Sequence, residues 1–382
     1  MDAAWDIVCF ASVDWDSHWQ RPQAVMSALA DSGARVVWID NLGLRRPRWT
    51  DARRVARRVR RQVGSSPSTG RRLLARESPI VLPSQHVGPI RAMATRSIMR
   101  RLARHHLGAD GRRVVVWTYL PSPTIQAVAH ELDADLLVYD WCDDACERLL
   151  SRSARVRQRV SGWENDMVRR ADLVFVASAE LPRRHGVEEG TTVVVPHGVS
   201  EAHRWPGATP AALAALPHPW LVFVGSISEW TDLDLLEHIA TTCPQWSLIL
   251  IGPTRVRVDR LARLDNVVVM ATQPQAVVAS VLAASDVGLV PYKSSAGMTA
   301  ASPLKVHEYL AHGLPVVSID VPALHDFAPF VEFAAGGDEF IHAIERAIER
   351  GRSPGADRTN SWSDRVGEMI ERVETALVRK VP

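Results

Sequence analysis

Short apolar runs rich in Val and Ile recur along the chain, each separated from the next by a polar stretch of helical length. Six precede residue 197: IVCFAS at 7–12, RVVWID at 35–40, VVVWTYL at 114–120, LLVYD at 136–140, LVFVAS at 173–178 and TVVVP at 192–196. The rhythm restarts with WLVFVGS at 220–226, WSLILIG at 246–252, NVVVM at 266–270, VGLVPY at 287–292 and PVVSID at 315–320. Consecutive apolar positions predict strands covered on both faces, and such strands alternating with helices make parallel sheets. The pattern therefore predicts an α/β chain of two Rossmann-like, doubly wound domains. Between the two blocks, SEAHRWPGATPAALAALPHP at 200–219 contains four prolines and many small residues and reads as the linker. The domains are then 1–199 and 220–361. A final helix over 362–382, with Val366, Met369, Ile370, Val373 and Leu377 on one side, can return to the first domain.

Length agrees with that division, because 382 residues exceed one ordinary core. No apolar run approaches the ~20 residues that span a bilayer, and Asp2 and Asp6 stand where a secretory leader would be basic. A cytoplasmic location is the expectation. Cys9, Cys142, Cys146 and Cys243 lack the spacing of a zinc framework and read as free thiols. The net charge of +2 conceals an asymmetry, since the first hundred residues hold 17 Arg against 8 acids. Much of this lies in RRPRWTDARRVARRVRRQ at 45–62, where Val55 and Val59 share one helical face amid arginines. Either a solvated cationic face or a surface for anionic lipid headgroups fits that segment; nothing in the chain points to nucleic acid.

In doubly wound sheets ligands bind beyond the carboxyl ends of the strands. No GxGxxG and no GxxxxGK[ST] follows any strand, which weakens dinucleotide and ordinary nucleotide-triphosphate readings. SSAGMTAASPLKVHEYLAHGLPVVS at 294–318 is more informative. Ser302 and Pro303 predict a helix start and Gly313 its stop, which places the helix over 303–312. Lys305, one of only three lysines in the chain, then sits in the first turn. There the helix dipole disfavours a cation by up to ~1 kcal/mol, so an anion such as a diphosphate is the expected companion. Glu308 shares that face, at a reach suited to accepting the hydroxyl hydrogens of a ribose. An i,i+3 ion pair between the two is the alternative.

SPLKVHEYLAHGLPVVS, together with DWDSHWQRPQAVMSALA, VYDWCDDACE, ADLVFVASAEL, VVVPHGVS and FVGSISEWTDLDLLEHIATTCPQWSLILIGP, resembles bacterial teichuronic-acid-type and other surface-polysaccharide glycosyltransferases of the GT-B fold. The resemblance implies two Rossmann-like domains facing each other across a cleft, and a hexosyl-type transferase working without an obligatory cofactor or metal. Its donor would be a nucleotide-diphosphate sugar bound to the second domain. Its acceptor, a polysaccharide, glycolipid or other hydroxyl compound, would be held by the first, at the inner face of the cell membrane. Carried over, Lys305 binds the diphosphate, Glu308 the ribose, Ser302 the start of the same helix, Gly225 and Ser226 the phosphates by backbone, and Met270, Ala271 and Thr272 the base. Many retaining members have a second Glu eight residues before the position of Glu308, where this chain has Ala300, and a basic residue soon after Gly225, where it has SEWTD. Retaining and inverting chemistry therefore both stay open. So do a nucleotide-sugar epimerase and a noncatalytic nucleotide-sugar-binding protein of the same fold.

On the acceptor side, YDWCDD puts Asp140, Asp143 and Asp144 at the end of a strand. A carboxylate crowded by like charges can serve as base toward an acceptor hydroxyl, and Asp143, with Asp144 beside it, is the candidate. Capping of the following helix is the competing role. Trp15, Trp19, Gln20 and Arg21, after the first strand, are the acceptor-binding candidates, since Trp beside Arg suits a sugar ring or an anionic group; domain packing is the alternative. In PHGVS, His197 replaces the usual Asn of a family turn and Gly198 meets a backbone requirement.

Overall fold

The computed structural model describes residues 5–17, 19–42, 74–79, 87–145, 153–203, 205–293, 302–353 and 361–380. In the first part of the chain β1 (Trp5–Phe10), β2 (Arg35–Ile39), β3 (Leu74–Glu77), β4 (Arg113–Thr118), β5 (Leu136–Trp141), β6 (Leu173–Val176) and β7 (Val193–Val194) form one sheet. Its order is β3-β2-β1-β4-β5-β6-β7, and every pairing is parallel. Parallel neighbours require crossovers, here α1 (Arg21–Asp31), α2 (Gly88–Leu102), α3 (Pro123–Glu131), α4 (Ala154–Arg170) and α5 (Glu180–Arg184). The second part repeats the design with β8 (Trp220–Val224), β9 (Ser247–Ile251), β10 (Val267–Met270), β11 (Val287–Val290), β12 (Val316–Ser318) and β13 (Val331–Phe333), in the order β10-β9-β8-β11-β12-β13 and again all parallel. Its helices are α6 (Leu233–Thr242), α7 (Gln275–Ala284), α8 (Leu304–Ala311) and α9 (Gly337–Arg350); α10 (Trp362–Arg379) ends the described chain.

The chain divides into Met1–Pro196 with Val366–Pro382, and His197–Arg365. The proline-rich segment at 200–219 groups with the second unit, where Leu213 is fully buried in the core. Most of α10 groups with the first unit, whose Asp172 receives a 2.6 Å ion pair from Lys380 at its end.

Two strands escape the apolar pattern for the same reason. β3 is LARE, and its Arg76 and Glu77 are buried because each has a charged partner: Arg76 bonds Asp40 at 2.8 Å, and Glu77 pairs with Arg101 and His105 at 3.0 Å. β13, VEF, holds its Glu332 against Arg346 and Arg350. A paired charge can occupy a strand position that an apolar residue would otherwise take. The basic segment at 45–62 lies outside the described residues, as does Ala300.

Candidate functional site

The carboxyl ends of β8 and β11 are adjacent, and the sheet runs outward from them in opposite directions; a switch point of this kind is where doubly wound sheets bind ligands. α8 lies over it because Gly288 of β11 has no side chain: a Cβ there would sit 2.3 Å from the Tyr309 ring. The Tyr309 hydroxyl accepts the Val224 N–H at 2.9 Å, which ties α8 to the end of β8. Lys305, one helical turn earlier, is thereby aimed at the strand ends.

The helix begins one residue later than its sequence predicts. Pro303 occupies the N-cap position, and no side chain caps the helix. Ser302 is an anchor instead, its carbonyl bonded by His197 Nε2 at 2.9 Å. The stop is as expected, with Gly313 at φ +68° and its N–H donating to Leu310. The first intrahelical bond is Val306 N–H to Pro303 at 3.0 Å, so the amides of Leu304 and Lys305 precede the ladder.

Lys305 is only 8% exposed. Its ammonium donates to the Tyr292 hydroxyl at 2.6 Å and lies 3.9 Å from the centre of the Phe223 ring. Among the described residues no carboxylate lies within ion-pair distance of it. Burial pulls the ammonium down to about 7, against a weaker upward pull from Glu308. The i,i+3 pair is therefore not formed.

Glu308 turns to His203, whose Nε2 lies 3.5 Å from its carboxylate. The same nitrogen is 2.9 Å from Gln275 Oε1, and His203 Nδ1 is 3.0 Å from His312 Nε2. Burial, the neighbouring His203 and Arg352 hold His312 down at about 4, so it is neutral and can accept. Two oxygen acceptors thus face Nε2, which carries hydrogen, and with neutral His312 accepting from Nδ1 the buried ring is the doubly protonated cation. Burial works against that cation, but Glu308 and Gln275 overcome it and raise His203 above the usual imidazole range. Nothing in the sequence announces His203 as a partner of Glu308.

The strand-end glycines form a row. Gly225, at φ +135°, leaves room for Lys305, whose Nζ a Cβ would meet at 3.0 Å. Gly252, at φ +147°, presses on Gly225, since its own Cβ would lie 2.0 Å from the Gly225 carbonyl oxygen. The Gly225 N–H is spent on Ile251 and the Gly252 N–H on Met270, at 2.8 and 3.0 Å. Gly225 therefore contributes space at the strand end, its own amide being committed within the sheet. Ser226 is half-buried beside Pro253; Met270 is half-buried, while Ala271 and Thr272 are exposed. Gly252 and Tyr292 were missed, although each follows a strand as Gly225 does. Gly198 has a packing reason, because a Cβ there would come 2.7 Å from the Trp362 nitrogen.

In the first unit Arg21 is not offered to a ligand. It is 2% exposed and donates to Asp140 at 2.9 and 3.1 Å and to the Val195 carbonyl at 2.8 Å. Asp140 is itself fully buried, which removes it from the acidic loop's exposed groups. Gln20 stands at the N-cap of α1, its N–H accepted by Gln23 at 3.2 Å. Trp15 and Trp19 are half-buried; Trp15 packs edge-on to Trp38 and Trp19 at 5.0 and 6.2 Å, and its backbone N–H donates to Asp40 at 3.0 Å.

Asp143 is exposed, with the Cys142 thiol 3.9 Å away. Asp144 lies 2.9 Å from His185 Nε2 and, first among causes, raises that imidazole. Ser153, not an aspartate, stands at the N-cap of α4. Beneath the loop, Glu164 of α4 accepts from Trp141 Nε1 at 2.9 Å, the Ala145 N–H at 3.0 Å and the Tyr139 hydroxyl at 3.3 Å. Burial, then the charge of Asp144, pushes Glu164 up to about 7.

Residues 218–350 match the family model described as glycosyl transferases group 1. A Bacillus subtilis (strain 168) protein, TuaH, named as a glycosyltransferase of teichuronic acid biosynthesis, is 26% identical over 264 residues, covering 63% of this chain and 65% of that protein. The match therefore spans a little under two thirds of the relative's length. Sucrose-phosphate synthase from Thermosynechococcus elongatus superposes with a TM-score of 0.65 at 16% identity, over 98% of this chain and 97% of that one. Anabaena HepE, solved with UDP and glucose, gives 0.57 at 15% identity over 98% of both chains.

Proposed function

On a two-domain GT-B framework whose second unit carries a group 1 glycosyltransferase domain, we propose that this protein transfers a sugar from a nucleotide-diphosphate sugar to a hydroxyl of a carbohydrate or lipid-linked acceptor. The kinship with TuaH points to cell-surface polysaccharide assembly. The observation that carries the reading is Lys305, an ammonium buried at the switch point of the second sheet with no carboxylate among the described residues to neutralise it. A diphosphate supplies the missing charge, with the leading amides of α8 and the helix dipole acting in the same direction. Glu308, steadied by His203, accepts the ribose hydroxyl hydrogens, and Met270, Ala271 and Thr272 border the base.

The chemistry breaks the bond between the anomeric carbon and the diphosphate oxygen while the acceptor oxygen bonds to that carbon. Negative charge grows on the leaving diphosphate, where Lys305 stabilises it. Asp143, the exposed carboxylate of the first unit's acidic loop, takes the acceptor's proton, and Trp15 and Trp19 offer ring faces to a sugar. Asp144 holds His185 and supports the loop. None of these steps calls on a cofactor. The arginine-rich segment at 45–62 would bring the protein to anionic lipid at the inner face of the membrane.

Calorimetry with nucleoside diphosphates tests the donor site. Lys305→Ala and Glu308→Ala should each weaken binding by ~1.5–3 kcal/mol with the fold retained, as loss of a charge-assisted hydrogen bond does. Unchanged affinity in both variants removes the assignment. Product analysis with nucleotide sugars separates the rivals, since donor cleavage is transfer chemistry, an isomerised intact donor is epimerase chemistry, and binding without turnover across a broad acceptor panel is a binding protein's behaviour.

A further inference from the structure

Asp144, Glu164 and His185 reach one spot in the first unit from three places in the chain: the loop after β5, the middle of α4 and the residue following α5. One ligand atom from each lies within 4.8 Å of the others. The separation of His185 Nε2 and Asp144 Oδ2, 2.9 Å, is also the edge between neighbouring donors of an octahedral cation with bonds of about 2.1 Å. Glu164 supplies an independent sign. Among the described residues its Oε1 takes three hydrogen bonds, from Trp141, Ala145 and Tyr139, while its Oε2 is buried with no partner.

A buried carboxylate oxygen facing no donor is a cost to the folded chain that a bound cation removes. The three donors on Oε1 are what a metal-binding carboxylate has behind it, since they fix its orientation and leave the other oxygen to ligate. The His185 ring is steadied in turn by Trp141, edge-on at 5.0 Å. The residue is 0% exposed at Glu164, and Asp144 and His185 are half-buried, so the site has an inner wall and an open side.

We propose that Asp144, Glu164 and His185 form a divalent-cation site. One imidazole with two carboxylates suits Mn²⁺ or Zn²⁺ better than Mg²⁺ or Ca²⁺, which prefer all-oxygen shells. The cation replaces the hydrogen shared between Asp144 and His185 and joins the acidic loop to α4. Its remaining positions are open to water or to an oxygen of a ligand. The site belongs to the first unit and is independent of the donor assignment at Lys305.

The test uses the full chain without an affinity tag, stripped with chelator and titrated with MnCl₂ and with ZnCl₂ by calorimetry. One equivalent should bind, and Mn²⁺ should quench Trp141 fluorescence through its proximity. His185→Ala and Glu164→Gln should each weaken binding at least tenfold, while His238→Ala, which removes an exposed histidine of the second unit, leaves it unchanged. Should Glu164→Gln fail to fold, His185→Ala, at a less buried position, decides the matter alone. Absence of binding by either metal, or full affinity in the folded site variants, overturns the proposal.

Discussion

Arg21 in the first unit and Lys305 in the second are both buried near the carboxyl ends of their sheets' strands, and the two cations are treated differently. Arg21 meets Asp140 through paired bonds of 2.9 and 3.1 Å, and although burial opposes its charge, Asp140 raises the guanidinium above its ordinary value. Lys305 has a phenol and an aromatic ring but no carboxylate among the described residues, and burial brings it down to about 7. The first arrangement is internally neutral in charge. The second is short of one negative charge. Burial alone does not mark a binding residue; burial without a counterion does.

Making one substitution at both positions gives the largest contrast. Arg21→Met strands the Asp140 carboxylate in the core and should lower stability by about 3–5 kcal/mol in urea unfolding. Lys305→Met removes a charge that no carboxylate among the described residues neutralises and should raise stability by about 1–3 kcal/mol while weakening nucleotide diphosphate binding by ~1.5–3 kcal/mol. Equal destabilisation at the two sites would erase the distinction.

A pH series sharpens the same contrast. The folded state depresses the Lys305 pKa, so between about 7 and the ordinary lysine range the unfolded chain holds more protons. Stability should rise with pH across that window in the parent relative to Lys305→Met. Nucleotide diphosphate affinity should move the other way, falling above about pH 7 by up to about tenfold per pH unit, because the anion requires the ammonium. Affinity that stays flat through this range in the parent would mean that Lys305 does not meet the phosphates.

The smallest expected effect lies at His203, whose folded pKa is raised. Its contribution is fully present below the ordinary imidazole range and is lost as pH rises through the raised value. His203→Gln should therefore cost ~1 kcal/mol in acid-side thermal unfolding, with the gap closing as the solution becomes alkaline. A gap independent of pH would mean that the ring packs without carrying charge.

Local pattern identified most of the strands and the helix bearing Lys305 and Glu308, and it identified the end of that helix better than its beginning. Gly313 stops α8 because its positive φ is a property of the residue itself. Ser302 had the right chemistry for a cap, but its backbone was drawn to His197, 105 positions away. β3 was missed because its buried charges resemble a surface until Asp40, Arg101 and His105 are beside them. The acidic loop was found, but His185 and Glu164 beneath it were not, since neither has a local signal.

What the sequence by itself determined is what depends on neighbours along the chain: strands apolar on both faces, hence parallel sheets, and a lysine placed in the first turn of a helix. What only the tertiary structure decided is which charges are neutralised. Arg21 finds Asp140 across 119 positions and His203 finds His312 across 109, whereas Lys305 finds no carboxylate among the described residues. The physical reason is that burial by periodicity is a short-range property, read within a few residues. A counterion acts through space, and its distance is set only when the sheets are formed.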